Sequence, residues 1–218
     1  MLAGRTQLEV AHGHLEAIYK PARTDAERVA LILHPHPLFG GNMDNPVVFH
    51  CAKALEACGF ETLRINFRGV GTSTGQWDEG RGELADARSA LEFLLASQAA
   101  AREVVVAGYS FGAAIGLQLG CADERVARVI SVATPVGLVD LGAALAGCAK
   151  PKLFVHGDAD DMAPLGAVEE LLGVSGADAD ADVAAERSEL RVIAGAGHFF
   201  ERELPDLSAA IRDALSAR

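Results

Sequence analysis

Apolar and polar residues fall along the chain in two kinds of short run. Residues 6–11 and 14–19 alternate loosely about His12-Gly13, which predicts two strands joined by a glycine turn. Residues 29–33 and 103–107 are compact apolar runs, and with 60–67, 126–133, 152–156 and 189–194 they read as strands. Between them, apolar residues recur at helical spacing over 46–58, 83–98, 111–121, 164–172 and 204–217, with Pro46 early in the first and Gly59 as its stop. From the first helix onward the two kinds alternate, the signature of a mostly parallel, doubly wound α/β sheet of about eight strands. The first two strands supply an antiparallel edge. With no internal repeat and no shift in composition, residues 1–218 read as a single domain.

Composition narrows the functions. Half of the 218 residues are hydrophobic, enough for a substantial core. Nineteen Lys+Arg stand against thirty Asp+Glu, a net charge of −11 that argues against nucleic acid or an anionic membrane as partner. No apolar run approaches the ~18 residues of a membrane span. The N-terminal residues lack the apolar core of a signal peptide, so a cytoplasmic location is expected. Cys51, Cys58, Cys121 and Cys148 form no CxxC pair and read as buried thiols in a reducing compartment.

The pattern G-x-S-x-G occurs twice, at Gly108-Tyr109-Ser110-Phe111-Gly112 and at Gly71-Thr72-Ser73-Thr74-Gly75. A nucleophile elbow needs a strand directly before the serine and a helix directly after it. Ser110 has both, in Val104-Val105-Val106-Ala107 and Ala113-Ala114-Ile115-Gly116-Leu117, whereas Ser73 has neither and reads as a flexible turn. A serine nucleophile needs an imidazole to take its proton and a carboxylate to fix the imidazole's tautomer. Of the two later histidines, His156 closes an apolar strand and reads as bonded to backbone. His198 lies in a loop after the last strand and is the expected base. The acid is expected from Gly157-Asp158-Ala159-Asp160-Asp161: Asp160 as the triad member, Asp158 on backbone amides of the turn, and Asp161 capping the next helix.

With these residues in place the chain resembles the α/β-hydrolase superfamily over nearly its whole length. The likeness rests on the elbow at 108–112, on Gly157-x-x-Asp160-x-x-x-Pro164, on Gly197-His198, and on Arg68-Gly69-Val70-Gly71-Thr72-Ser73. Leu33-His34-Pro35-His36-Pro37-Leu38-Phe39-Gly40-Gly41 is similar to a group of small bacterial, dienelactone-hydrolase-like members. Dienelactone hydrolases themselves use cysteine, and this chain has Ser110 in that place. The resemblance implies an α/β-hydrolase fold and a serine hydrolase without a cofactor.

The oxyanion of such a reaction needs two preorganised donors. The Phe111 amide is one candidate. The second is the His36 amide, with Leu38 next, because Pro35 and Pro37 have no N–H to give. His34-x-His36 lacks the companions of a metal pair. The series Asp178, Asp180, Asp182 and Glu189 mimics a calcium loop but has Val183 where glycine is required, so no metal is expected. Residues 134–151 leave room for about one helix and no cap domain. The site is therefore expected to be open, with Phe39, Trp77, Phe111, Phe199 and Met162 as walls and a preference for small esters, with acyl groups of about two to six carbons. The expected activity is cleavage of a small-molecule carboxylic ester through a Ser110 acyl-enzyme. A thioesterase or amidase with the same triad is the alternative within the class. A non-catalytic binding protein is the alternative outside it, and nothing in the sequence fixes the oligomeric state.

Overall fold

The computed structural model describes residues 4–22, 27–98, 100–137, 141–145, 147–173 and 187–216. Eight strands form one sheet: β1 (Gly4–Val10), β2 (Gly13–Lys20), β3 (Arg28–Leu33), β4 (Glu61–Ile65), β5 (Glu103–Tyr109), β6 (Arg128–Val132), β7 (Lys152–Gly157) and β8 (Ser188–Ile193). Their order is β1-β2-β4-β3-β5-β6-β7-β8. The β1–β2 and β2–β4 pairs are antiparallel and every other pair is parallel, so the antiparallel N-terminal edge stands where the sequence places it.

Helices α1 (Pro46–Ala57), α2 (Arg81–Ser97), α3 (Phe111–Ala122), α4 (Gly142–Leu145), α5 (Leu165–Leu171) and α6 (Leu204–Ser216) connect the strands. Alternate residues of a strand point to opposite faces. In β3, Val29, Leu31 and Leu33 join the core under α2 and α3, while Ala30 and Ile32 join the core under α1 and α6. Both faces are therefore covered, and the central strands read as unbroken apolar runs instead of alternating ones. Pro46 stands at the first position of α1, and the Asn45 side chain accepts from the Val47 amide at 2.9 Å. Helix α2 begins two residues before the expected start. Gly80 takes a left-handed φ of 88°, and the buried Glu83 carboxylate turns back to accept from the Asp78 and Gly80 amides at 3.1 and 2.8 Å.

The reading of all four cysteines as thiols is corrected by the fold. Cys121, near the end of α3, and Cys148, just before β7, lie 5.4 Å apart between α-carbons and form a disulfide. Their separation of 27 residues carries no pairing signal. It is the packing of α3 beside the β6–β7 connection that brings them together. Lys150 secures the same junction by donating to the Asp123 carbonyl and, at 2.8 Å, to the Gly120 carbonyl. Cys51 is a buried thiol as expected, its pKa pushed up to about 12 by burial, and Cys58 is half-buried. Among the described residues, no helix is long and apolar enough to cross a membrane. The acidic stretch carrying Asp178, Asp180 and Asp182 lies outside the described residues.

Candidate active site

Ser110 stands between β5 and α3 with φ 52° and ψ −119°, a conformation that L-residues rarely adopt and that costs of order 1–3 kcal/mol to hold. Two glycines permit it. A β-carbon on Gly108 would lie 2.0 Å from the Gly112 carbonyl oxygen, and one on Gly112 would lie 2.4 Å from the Leu33 oxygen. The turn is tied to the neighbouring strand through the Ser110 amide, which donates to the Val132 carbonyl at 2.9 Å.

The loops after β7 and β8 bring two further groups to this turn. His198 Nε2 lies 3.0 Å from Ser110 Oγ, and His198 Nδ1 lies 2.8 Å from Asp160 Oδ2. Both ring and carboxylate are buried, at 4 % exposure each. The other carboxylate oxygen accepts from the Met162 and Ala163 amides at 3.0 and 2.8 Å. Burial alone would raise the Asp160 pKa. The hydrogen bonds from His198 and the Ala163 amide outweigh it, and the group stays below the ordinary aspartate value. The loops can approach this closely because residue 157 is glycine: a β-carbon there would lie 2.0 Å from the Ala196 oxygen.

Three neighbours hold this arrangement. Tyr109 donates its hydroxyl to the His198 carbonyl at 3.0 Å, and burial, followed by the Asp160 charge, raises its pKa. Asp158 accepts from the Gly195 amide at 2.7 Å, so it bonds across to the base loop and not within its own turn. His156 donates from Nε2 to the Ala163 carbonyl at 2.6 Å, in keeping with the backbone role expected of it. Its Nε2 also lies 3.5 Å from Asp160 Oδ2, and burial lowers its pKa. The expectation that Asp161 caps the following helix fails. Helix α5 starts at Leu165 behind Pro164 without a side-chain cap, and it is Asp160 that bonds the intervening amides.

Ser73 is also corrected. Far from a flexible turn, it is 8 % exposed, donates to the Asn66 carbonyl at 2.8 Å and receives the Glu16 amide at 2.8 Å. It pins the loop after β4 to β2. Asp86 anchors the same loop, accepting from the Arg68 amide at 2.9 Å and from its guanidinium at 3.0 and 2.7 Å.

On the opposite wall, both nitrogens of the buried His34 are engaged. Nδ1 donates to the Pro35 carbonyl at 2.6 Å, and Nε2 accepts from the Phe67 amide at 3.0 Å. His36 accepts the Leu38 amide at 3.2 Å, and its ring centroid lies 4.5 Å from that of Trp77 and 5.2 Å from that of Phe111. The Leu38 amide is thus spent, whereas the amides of His36 and Phe111 donate to no group among the described residues.

A cavity of about 660 Å3 opens over Ser110 and His198. All five residues expected from sequence as its walls (Phe39, Trp77, Phe111, Met162 and Phe199) line it. Phe39 and Phe199, 85 % and 59 % exposed, form its rim. Sequence reasoning missed Leu84 of α2 and Ala114, Ile115 and Gln118 of α3, which line it too. The signal was present, since Phe111, Ala114, Ile115 and Gln118 recur at the spacing of one helix face.

Comparison with known proteins agrees with this architecture. The profile of the alpha/beta hydrolase fold family matches residues 36–145. An alpha-beta serine hydrolase homologue from Coxiella burnetii is 34% identical, with a TM-score of 0.88 over 99% of this chain and 98% of its own. The structure of XC6422 from Xanthomonas campestris, described as an a/b serine hydrolase without lid, is 30% identical, with a TM-score of 0.87 over 99% of this chain and 94% of its own. A Rickettsia prowazekii protein, RP471, is 35% identical over 206 residues, covering 93% of this chain and 84% of its own. A mostly parallel sheet with a strand–serine–helix turn at its centre, matched by the family profile over half of the chain and by relatives of 30–35% identity along its length, places this chain in the alpha/beta hydrolase fold family.

Proposed function

We propose that the chain is a serine hydrolase of small carboxylic esters, working as one domain over residues 1–218. The observation that carries this reading is the line Ser110 Oγ, His198, Asp160, joined at 3.0 and 2.8 Å, at the floor of a mainly apolar cavity. In the first half-reaction His198 Nε2 takes the Ser110 proton as Oγ bonds to the ester carbonyl carbon. The tetrahedral oxyanion is held by the amides of Phe111 and His36. As the carbon–oxygen bond to the alcohol breaks, His198 returns the proton to the departing oxygen and an acyl-Ser110 ester remains. In the second half-reaction His198 deprotonates water, which attacks the acyl carbon, and the proton then goes back to Ser110 Oγ as the carboxylic acid leaves. Asp160 keeps the proton of neutral His198 on Nδ1 and balances the imidazolium formed between steps. Every step uses groups of this chain and water.

Labelling with a fluorophosphonate, followed by peptide mapping and a panel of ester, thioester and amide substrates, tests the proposal. Adduct formation on Ser110 and turnover of esters ahead of thioesters and amides are the expected outcome. An unlabelled protein, or an adduct on another serine, overturns it.

A further inference from the structure

Of the polar groups packed around Ser110, His198 and Asp160, His156 takes no part in the steps above. It sits near the end of β7, is fully buried, and does not line the cavity over Ser110. Its tautomer follows from its partners. Nε2 lies 2.6 Å from the Ala163 carbonyl oxygen, which can only accept, so the ring proton is on Nε2. Burial lowers the His156 pKa and keeps the ring neutral, which leaves Nδ1 as an unprotonated acceptor. That atom is buried and meets no donor among the described residues. A buried acceptor without a donor costs stability that an apolar side chain of similar size would not. What the ring supplies in return is its Nε2–H.

That N–H stands where two imidazoles converge on one carboxylate oxygen. Asp160 Oδ2 lies 2.8 Å from His198 Nδ1 and 3.5 Å from His156 Nε2. At 3.5 Å the second contact is too long for a strong hydrogen bond, but in a buried site the N–H dipole still acts on the charge. The stronger tie runs through Ala163. Its amide donates to Asp160 Oδ1 at 2.8 Å, and its carbonyl accepts from His156. The turn that carries the acid is thus fastened back onto β7 by this ring.

Resting on the serine-hydrolase reading above, we infer that His156 is a positioning residue for Asp160. Its Nε2–H, anchored on the Ala163 carbonyl, holds the turn so that Oδ2 stays aligned with His198 Nδ1. The ring touches neither substrate nor the reacting atoms and acts only through Asp160. Its contribution falls on kcat and leaves KM alone, because the cavity walls do not change.

The test compares His156→Met with His156→Gln, side chains of equal length of which only the second carries an N–H near the place of Nε2. Values of kcat for p-nitrophenyl acetate are scaled to the folded fraction measured by circular dichroism. A misplacement of about 1 Å can cost ~10²-fold in rate, so His156→Met should lower kcat by roughly 10- to 100-fold with KM unchanged. His156→Gln, whose amide reaches the Ala163 carbonyl, should recover most of the loss. In an Asp160→Ala background His156→Met should leave kcat where it was, since the group it acts through is gone. An equal loss in both backgrounds would make His156 a support of the fold alone and overturn the inference. A native kcat in His156→Met, or a His156→Gln as slow as His156→Met, overturns it too. If His156→Met does not fold, His156→Asn replaces it, because the shorter amide cannot reach the Ala163 carbonyl. Equal kcat in His156→Asn and His156→Gln then overturns the inference, and the serine-hydrolase reading stands. If the native protein does not cleave the acetate, both fall.

Discussion

His34 should make the stability of this protein fall as the solution is acidified, by an amount that a single substitution can isolate. The ring is fully buried, donates from Nδ1 to the Pro35 carbonyl and accepts the Phe67 amide on Nε2. A proton added to Nε2 would face the Phe67 N–H with no acceptor to receive it. Burial accordingly lowers the His34 pKa from 6.5 to about 4, the bond to Pro35 offsetting only part of this. Well above pH 6.5 the folded and unfolded chains both carry the neutral ring, and His34 adds no pH dependence. Between 6.5 and about 4 the unfolded chain binds a proton that the folded chain refuses, so stability is lost as pH falls. At roughly 1.4 kcal/mol per pH unit, the full loss is about 3 kcal/mol. His34→Leu removes the titration but leaves the buried Phe67 amide without its acceptor, which should cost roughly 1–3 kcal/mol at pH 7. Urea unfolding of both proteins at pH 7, 6, 5 and 4 should therefore show the native protein's advantage of roughly 1–3 kcal/mol closing or changing sign as the difference shifts by about 3 kcal/mol on acidification. Other buried groups, His156 among them, titrate in both proteins and cancel. Parallel stability curves, with a gap independent of pH, would refute the reasoning.

Ser110→Ala should abolish fluorophosphonate labelling and lower ester kcat by several orders of magnitude, with an unchanged circular dichroism spectrum, because members of such a triad act as a unit. Asp160→Asn should reduce kcat by about 10⁴-fold through the wrong His198 tautomer. Asp158→Asn, at a side chain that accepts from the Gly195 amide, should act mainly on stability, and a larger kcat loss there at equal folded fraction would exchange the two roles. Replacing Cys121 and Cys148 together with serine should cost about 3 kcal/mol, given the 27-residue loop that the disulfide closes. Urea midpoints that match those of the oxidised native protein would count against that bridge.

Much of the site was legible because its residue types are bound to local patterns. Ser110 needs a strand before it and a helix after it, and the hydropathy of the flanking residues shows both. Asp160 and His198 follow strands β7 and β8, whose apolar runs place the two loops at one edge of a parallel sheet. Division of labour among neighbouring carboxylates was less legible. Asp158, Asp160 and Asp161 fall within four consecutive positions, and which of them meets an amide depends on the path of the loop. Ser73 was misread for a similar reason, since its partners, Asn66 and Glu16, are brought to it by the antiparallel β2–β4 pairing.

The sequence by itself determined the alternation of strands and helices, the antiparallel edge and the strained serine turn. Each is set by interactions over a few residues: period of hydropathy, glycine where a side chain would collide, proline where no N–H is needed. Tertiary structure alone decided the Cys121–Cys148 bridge, the engagement of both His34 nitrogens and the meeting of Leu84 from α2 with Ala114 and Ile115 from α3 in the wall of one cavity. These depend on contacts between residues remote in the chain, whose distances are fixed only once the sheet has twisted and its helices have packed. No local pattern of residues encodes such distances.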